Sequence, residues 1–275
     1  MDVSETRTIP IRSDRLTMSF ATRETLCDER SPFQRIEIVD TEVFGRVLLL
    51  DGHIQLSTFD ERAYHELLVQ LPAGQVPEVR RVLIVGGGDG GALREALRIQ
   101  GVEAVTMVEI DERVMDLSAR HLPELSAGAF DDPRADVVVG DAFAFVDRAV
   151  GPYDLIVVDS TDVYEEEEGE LSEMLWTPDF YRRLLTLLSP DGIVVTQADN
   201  LVFCPYSVEE VERLFRSVFP TSGTYWGLVP SFGGYSGFCW GRTAGGLSPE
   251  FRPKAPCVHL NAATYALALS APRFG

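Results

Sequence analysis

Acidic residues stand just past a series of apolar runs. Asp89 lies within Gly86-Gly87-Gly88-Asp89-Gly90-Gly91, Glu109 follows Ala104-Val105-Thr106-Met107-Val108, Asp141 follows Gly140, and Asp159 and Asp162 follow Tyr153 to Val158. No basic residue shares these positions. Gly86, Gly88 and Gly91 satisfy G-x-G-x-x-G, the turn at which open α/β sheets hold nucleotides. In a dinucleotide site that turn wraps a pyrophosphate, which Asp89 would repel. A carboxylate there suits a ligand carrying adenosine and positive charge, such as a sulfonium nucleoside of the S-adenosylmethionine type. Glu109 is placed to accept hydrogen bonds from ribose hydroxyls, and Asp141 to read an adenine amino group. Asp159 and Asp162, three residues apart, can face one pocket. For each of these acids a solvated strand end is the plain alternative.

Two kinds of segment must position these residues. Residues 1–74 read as a small β-rich unit. Leu16 to Thr22 and Gln34 to Val39 alternate at period two, Val43 to Leu50 forms a third strand, and Asp51-Gly52 turns into a fourth, His53 to Ser57. Asp60-Glu61 then opens a helix that runs to about Leu71 and ends at Pro72 and Gly74. Over 75–275, continuous apolar strands alternate with helices. Strands are predicted at 81–85, 104–108, 135–139, 153–158 and 192–196, and helices at 91–99, 112–120, 142–149, 178–188 and 207–218. This pattern predicts a mostly parallel sheet covered on both faces. Two last strand-like runs, 224–229 and 237–241, predict an antiparallel hairpin at its edge.

Composition narrows the partners. The formal net charge is −19, which argues against nucleic acid and anionic membrane and favours a cationic ligand or a generally acidic surface. Asp159 to Glu173 contains eight acids and no base. Cys27, Cys204, Cys239 and Cys257 are scattered, as expected of reduced thiols, and the histidines do not cluster with them, so no metal-site pattern is present. The polar residues from Met1 to Pro10 lack the apolar core of a signal peptide, and no run is long enough to span a membrane. The expected location is the cytoplasm.

The ordered set Gly86-Gly87-Gly88-Asp89-Gly90-Gly91-x-Leu93-Arg94-Glu95, Val108-Glu109-Ile110-Asp111, Gly140-Asp141 and Asp159-Ser160-Thr161-Asp162 closely resembles the polyamine aminopropyltransferases (spermidine synthases). So do Leu50-Asp51-Gly52-His53-Ile54-Gln55 and Asp60-Glu61-x-x-Tyr64-His65-Glu66. The likeness covers about residues 30–242. It implies an α/β fold, with an S-adenosylmethionine-dependent methyltransferase-like Rossmann domain and a small N-terminal β-domain, in a homodimer or homotetramer. It implies transfer of an aminopropyl group from decarboxylated S-adenosylmethionine, a co-substrate, to a diamine or polyamine such as putrescine. Methylthioadenosine is released, and neither metal nor resident cofactor is implied.

By position, the resemblance gives Gln34, Glu109, Asp141 and Ala142 the adenosine part of the donor, beside Gly86 and Gly88, and gives Asp89 the donor's amine. Tyr64, His65, Asp162, Gln197 and Phe232 fall on the acceptor side, and Asp159 is the catalytic residue. Three places depart from the family pattern. An acidic loop, 163–170, replaces a proline-containing one. Pro230-Ser231-Phe232 stands where a tyrosine is usual, and the tail reads His259-Leu260-Asn261 with Tyr265 beyond. An amine methyltransferase, a polyamine- or nucleoside-binding relative without activity and, for the glycine motif alone, a nicotinamide dehydrogenase are the alternatives.

Overall fold

The computed structural model describes residues 5–12, 15–160 and 175–270. Asp162 and the acidic loop 163–170 lie outside the described residues. The chain builds two sheets. The first is an antiparallel meander of β1 (Glu5–Arg12), β2 (Leu16–Arg30), β3 (Arg35–Thr41), β4 (Arg46–Leu50) and β5 (His53–Ser57), hydrogen-bonded in chain order. Alternation in β3 and β4 sends side chains to both faces. Ile36, Ile38, Leu48 and Leu50 pack on one side with Val114 and Leu117, while Val39, Val47 and Leu49 pack on the other with Ile9 and Phe20. The first face therefore needs a helix of the larger unit to close it.

Strand β1 was not legible in the sequence. Ile9 is its one fully buried side chain, and Pro10 interrupts its donors, so it carries little apolar signal. A proline is tolerated because β1 is an edge strand paired only with β2.

The second sheet has the order β11-β12-β10-β9-β6-β7-β8. Its strands are β6 (Arg81–Gly86), β7 (Ala104–Glu109), β8 (Ala135–Val139), β9 (Tyr153–Asp159), β10 (Leu188–Asn200), β11 (Thr221–Val229) and β12 (Gly234–Arg242). Strands β6 to β10 pair in parallel, and β12 joins β10 and β11 antiparallel, as the sequence predicts. Val82 to Val85 are almost fully buried because β6 lies between β9 and β7 with layers on both faces. From β6 the chain first steps to β7 and β8, then returns to place β9 on the other side. That reversal opens a crevice between the carboxyl ends of β6 and β9, where such sheets bind ligands.

The helix after β5 is interrupted. α1 (Glu61–His65) passes into a π-helical turn, Glu66–Gln70, and then a last α-turn, Leu71–Ala73. Its apolar residues Leu67, Leu68, Val69, Leu71 and Ala73 share a core with Val82, Ile84, Tyr225 and Phe238, so this helix packs on the larger sheet. Further helices among the described residues include α2 (Gly91–Leu97), α3 (Glu112–His121), α4 (Ala142–Val146), α5 (Pro178–Leu187), α6 (Pro205–Val218) and α7 (Ala262–Ala268). The last was not foreseen; a capping box of Asn261 and Thr264 starts it, and Tyr265 anchors it in the core. Among the described residues no helix is long and apolar enough to cross a membrane.

Candidate active site

The site is assembled from the ends of β6, β7 and β9 and one face of α1. Gly86 and Asp159 are register partners on adjacent parallel strands. Gly86 turns the chain in the left-handed region at φ 79°, and a Cβ there would lie 2.2 Å from the Asp159 carbonyl oxygen. Gly87 N donates to that same oxygen at 2.9 Å. The glycine turn thus grips the backbone that carries the Asp159 carboxylate.

Tyr64 donates its hydroxyl to Asp159 Oδ1 at 2.7 Å. The other carboxylate oxygen, Oδ2, is enclosed and has no hydrogen-bond donor among the described residues. Burial, with the charge of Asp89 added, pushes the Asp159 carboxyl up to about 6; the His65 charge and the Tyr64 hydrogen bond pull the other way.

Asp89 accepts from Gly91 N at 2.6 Å, which folds it back over the start of α2. Its Oδ1 lies 3.4 Å from His65 Nε2. His65 is fully buried, and its Nδ1 lies 2.9 Å from Glu61 Oε2. The ring fills the space beside Gly91, where a Cβ would come within 2.2 Å of it. Burial opposes a charge on this imidazole, but Asp89 and Glu61 outweigh it and raise His65 to about 10. Glu61 falls to about 2 despite its burial, because His65 and Arg94 hold its ionised form.

Glu109 ends β7 with its carboxylate against Gly88, and its Oε1 accepts from Asp111 N at 2.9 Å. Burial raises it to about 7 against the pull of backbone N–H groups. Gln34 reaches this corner from the first sheet unit. Its Nε2 donates to Asp111 Oδ2 at 2.9 Å, and Ser31 Oγ donates to the same oxygen at 2.7 Å. Asp111 also caps α3 through Arg113 N at 3.1 Å. Asp111 and Ser31 join the site beyond the residues the sequence predicts. An acid just before a helix is the signal for the first, whereas the link to Gln34 is a tertiary contact that no local pattern reveals.

Asp141 is exposed at the end of β8 and caps α4, accepting from Phe143 N at 2.8 Å, while Ala142 beside it is buried. This pair stands on the outer flank of the crevice, beyond Glu109. Gln197 is buried at the end of β10. It donates to the Ser160 carbonyl at 3.0 Å and accepts from Asp199 N at 3.0 Å, which fixes the backbone next to Asp159. Phe232 meets Tyr64 edge-on, with centroids 5.5 Å apart and planes at 70°. Its turn is pinned by Asp60, which accepts from Ser231 N at 2.7 Å and Ser231 Oγ at 2.8 Å. Asp89, Glu109, Asp159, Tyr64 and His65 therefore converge, Gln34, Gln197 and Phe232 frame them, and Asp162 lies outside the described residues.

Residues 61–245 match the family described as "Spermine/spermidine synthase domain", and residues 6–58 match "Spermidine synthase tetramerisation domain". The chain is 40% identical over 245 residues to a polyamine aminopropyltransferase of Desulforudis audaxviator, covering 89% of this chain and 86% of that one. It is 43% identical over 208 residues to one of Pyrobaculum neutrophilum, covering 74% and 70%. Among solved structures, a spermidine synthase in complex with the transition state analogue AdoDATO superposes with a TM-score of 0.89 at 26% identity, covering 98% of this chain and 92% of that chain. The spermidine synthase of Thermotoga maritima gives 0.86 at 26% identity, covering 98% and 91%. Fold and site together define a transferase on the methyltransferase-like Rossmann scaffold, preceded by a small β-domain. Within that class, the chain belongs to the spermine/spermidine synthase family.

Proposed function

We propose that this enzyme transfers the aminopropyl group of decarboxylated S-adenosylmethionine to a primary amine of a diamine or polyamine such as putrescine. The observation that carries the reading is the enclosed, undonated Oδ2 of Asp159, set beside Asp89 at the β6–β9 crevice. A buried carboxylate oxygen without a donor is costly, and an entering ammonium supplies one.

On this reading Glu109 and Gln34 hold the ribose side of the donor, Asp141 and Ala142 the adenine, and Asp89 the propylamine. Tyr64, His65, Gln197 and Phe232 serve the acceptor side, a role we also propose for Asp162. Asp159 takes a proton from the acceptor ammonium and leaves a lone pair on nitrogen. That nitrogen attacks the propyl carbon bonded to sulfur. The new C–N bond forms as the C–S bond breaks, and the bonding pair goes to sulfur, which leaves as the neutral thioether of methylthioadenosine. Asp89 opposes ordinary S-adenosylmethionine because the α-carboxylate of that donor would approach it.

A positively charged sulfonium needs no further activation, and we propose a reaction without metal or resident cofactor. The polar atoms of His65, Asp89 and Asp159 lie within 4.8 Å of one another, but His65, raised to about 10, holds protons on both ring nitrogens at neutral pH and then offers a metal no lone pair. We further propose a homodimer or homotetramer. The match of residues 6–58 to a tetramerisation domain, with Val43 exposed within it and Phe59 just beyond it, supports this. A cytoplasmic location agrees with four free cysteines, three of them buried.

The test is incubation with the decarboxylated donor and, separately, with S-adenosylmethionine, against a panel of di- and triamines, with products read by mass spectrometry. Gain of an aminopropyl unit with the decarboxylated donor alone supports the reading. A methyl gain, or no product from either donor, refutes it.

A further inference from the structure

Behind the crevice lies a chain of buried charges that the transfer step itself does not use. Glu61 precedes His65 by one helical turn, which places the two side chains on one face of α1. The carboxylate of Glu61 is held from its other side by cations: Arg94 Nη2 lies 2.8 Å from Oε2, Arg94 Nη1 3.2 Å from Oε1, and Arg62 Nε 3.1 Å from Oε1. Arg94 is buried and also donates to Glu95 Oε1 at 3.0 Å and to the carbonyl of Leu125. Glu95, fully buried, further receives Arg62, Arg98 and Gln70. Glu61 cannot leave His65 without breaking this network.

The charged groups facing His65 come from three elements. Glu61 is on its own helix, Asp89 on the turn after β6, and Asp159 on the end of β9, where the Tyr64 hydroxyl is also engaged. A neutral imidazole has one N–H and one lone pair, so it can donate to only one of two carboxylates. Nδ1 stands at hydrogen-bond distance from Glu61, and Nε2, enclosed and making no hydrogen bond among the described residues, has the Asp89 carboxylate 3.4 Å away, so a carboxylate lies beside each nitrogen as a double donor requires.

We propose that Glu61 is a positioning residue which, through His65 Nδ1, fixes the imidazole as a two-proton cation whose Nε2–H faces the Asp89 and Asp159 carboxylates. The proposal rests on the reading of Asp159 as the proton acceptor. Its consequence is electrostatic: burial and the neighbouring Asp89 favour the protonated form of Asp159, and a fixed cation beside it favours the ionised form. The Asp159 carboxylate is then free to take the amine's proton at neutral pH.

The experiment combines histidine labelled with 15N at both ring positions and pH–rate profiles. The chain has only four histidines, so the His65 ring signals can be assigned by substitution. At pH 8, where an unperturbed histidine is neutral, His65 of the wild-type protein is expected to carry protons on both nitrogens. In Glu61→Gln one of them is expected to be lost. The acid limb of kcat/KM in that variant should rise by about 1 pH unit, a roughly tenfold loss at pH values below the limb, with activity near pH 9 within about threefold of wild type. His65→Gln should move the limb in the same direction, and the double variant should move it no further.

A singly protonated His65 in the wild type overturns the proposal, as does an unmoved limb in folded Glu61→Gln. Should Glu61→Gln fail to fold, the wild-type ring signals and the His65→Gln profile still decide. If the wild type transfers no aminopropyl group to any amine, the reading of the reaction fails by itself, and the ring signals still report on the Glu61–His65 pair.

Discussion

Tyr64 and Asp159, 95 residues apart in the chain, meet through a 2.7 Å hydrogen bond from the phenol to the carboxylate. The bond joins the face of α1 to the end of β9 and leaves the other Asp159 oxygen without a donor among the described residues. Tyr64→Phe keeps the ring, which also packs against Phe232 and Phe238, and removes only the donor. Loss of that donor raises the Asp159 carboxyl further above its ordinary value. We expect turnover to fall more steeply at pH 6 than at pH 8.5, by about tenfold at the lower pH. Parallel profiles for Tyr64→Phe and wild type would show that the bond does not tune Asp159.

Asp159→Asn separates catalysis from stability. On the proposed role of Asp159 as proton acceptor, turnover is expected to fall by about 10²- to 10⁴-fold, while donor affinity, measured by titration calorimetry, changes little. The same variant is expected to unfold at a higher temperature at pH 8 than the wild type. The sign follows from the folded carboxyl standing at about 6 against 3.8 when unfolded. The folded state binds the proton more tightly, so stability is lost as pH rises from about 4 through 6. Counted in full, the shift corresponds to about 3 kcal/mol. Below pH 4 both states are protonated and the gain should vanish, which a pair of melting curves can check.

Gly91→Ala tests the space taken by the imidazole. The new methyl would come within 2.2 Å of the His65 ring, which is walled in by Glu61 and Asp89. We expect a loss of about 2 kcal/mol in denaturant titration, in line with overpacked cores. An unaffected midpoint together with unchanged activity would mean that α2 shifts without cost.

Glu66→Ala tests the anchoring of the tail. Glu66 is fully buried and accepts from the backbone N–H groups of Val258, His259 and Leu260 at 2.7, 2.8 and 2.8 Å. Leaving three amides without their acceptor should cost about 3 kcal/mol. Hydrogen exchange should show faster opening of 258–268, with the second sheet slower to respond. Uniform exchange across the protein would contradict this picture.

What was legible in the sequence follows a physical division. The glycine turn and the strand-end acids Asp89, Glu109, Asp141 and Asp159 could be read because parallel sheets are written as continuous apolar runs and bind ligands at their carboxyl ends. The central strands were placed to within a residue or two for the same reason. Strand β10 was not: it begins at Leu188, and its register with β9 shifts between Leu188 and Ile193, where Pro190-Asp191-Gly192 reads locally as a turn. Strand β1 was hidden by its polar edge face. The roles of Asp111, Asp60 and Glu66 depend on partners 77, 171 and more than 190 residues away, a distance no window of sequence spans. Glu61 is the intermediate case, since its spacing to His65 is local but its hold by Arg94 is not.

The bond between Glu66 and the tail also bears on the order in which the molecule is made. A ribosome delivers α1 long before Val258, and until then the Glu66 carboxylate has no amides with which to leave water. The final burial of the neighbouring Tyr64 and His65 is therefore expected to follow delivery of residues 258–260. Chains stalled short of residue 258 should remain open to protease around 61–70, and chains stalled well past it should not. A single side chain thus ties completion of this helix to delivery of residues 258–260.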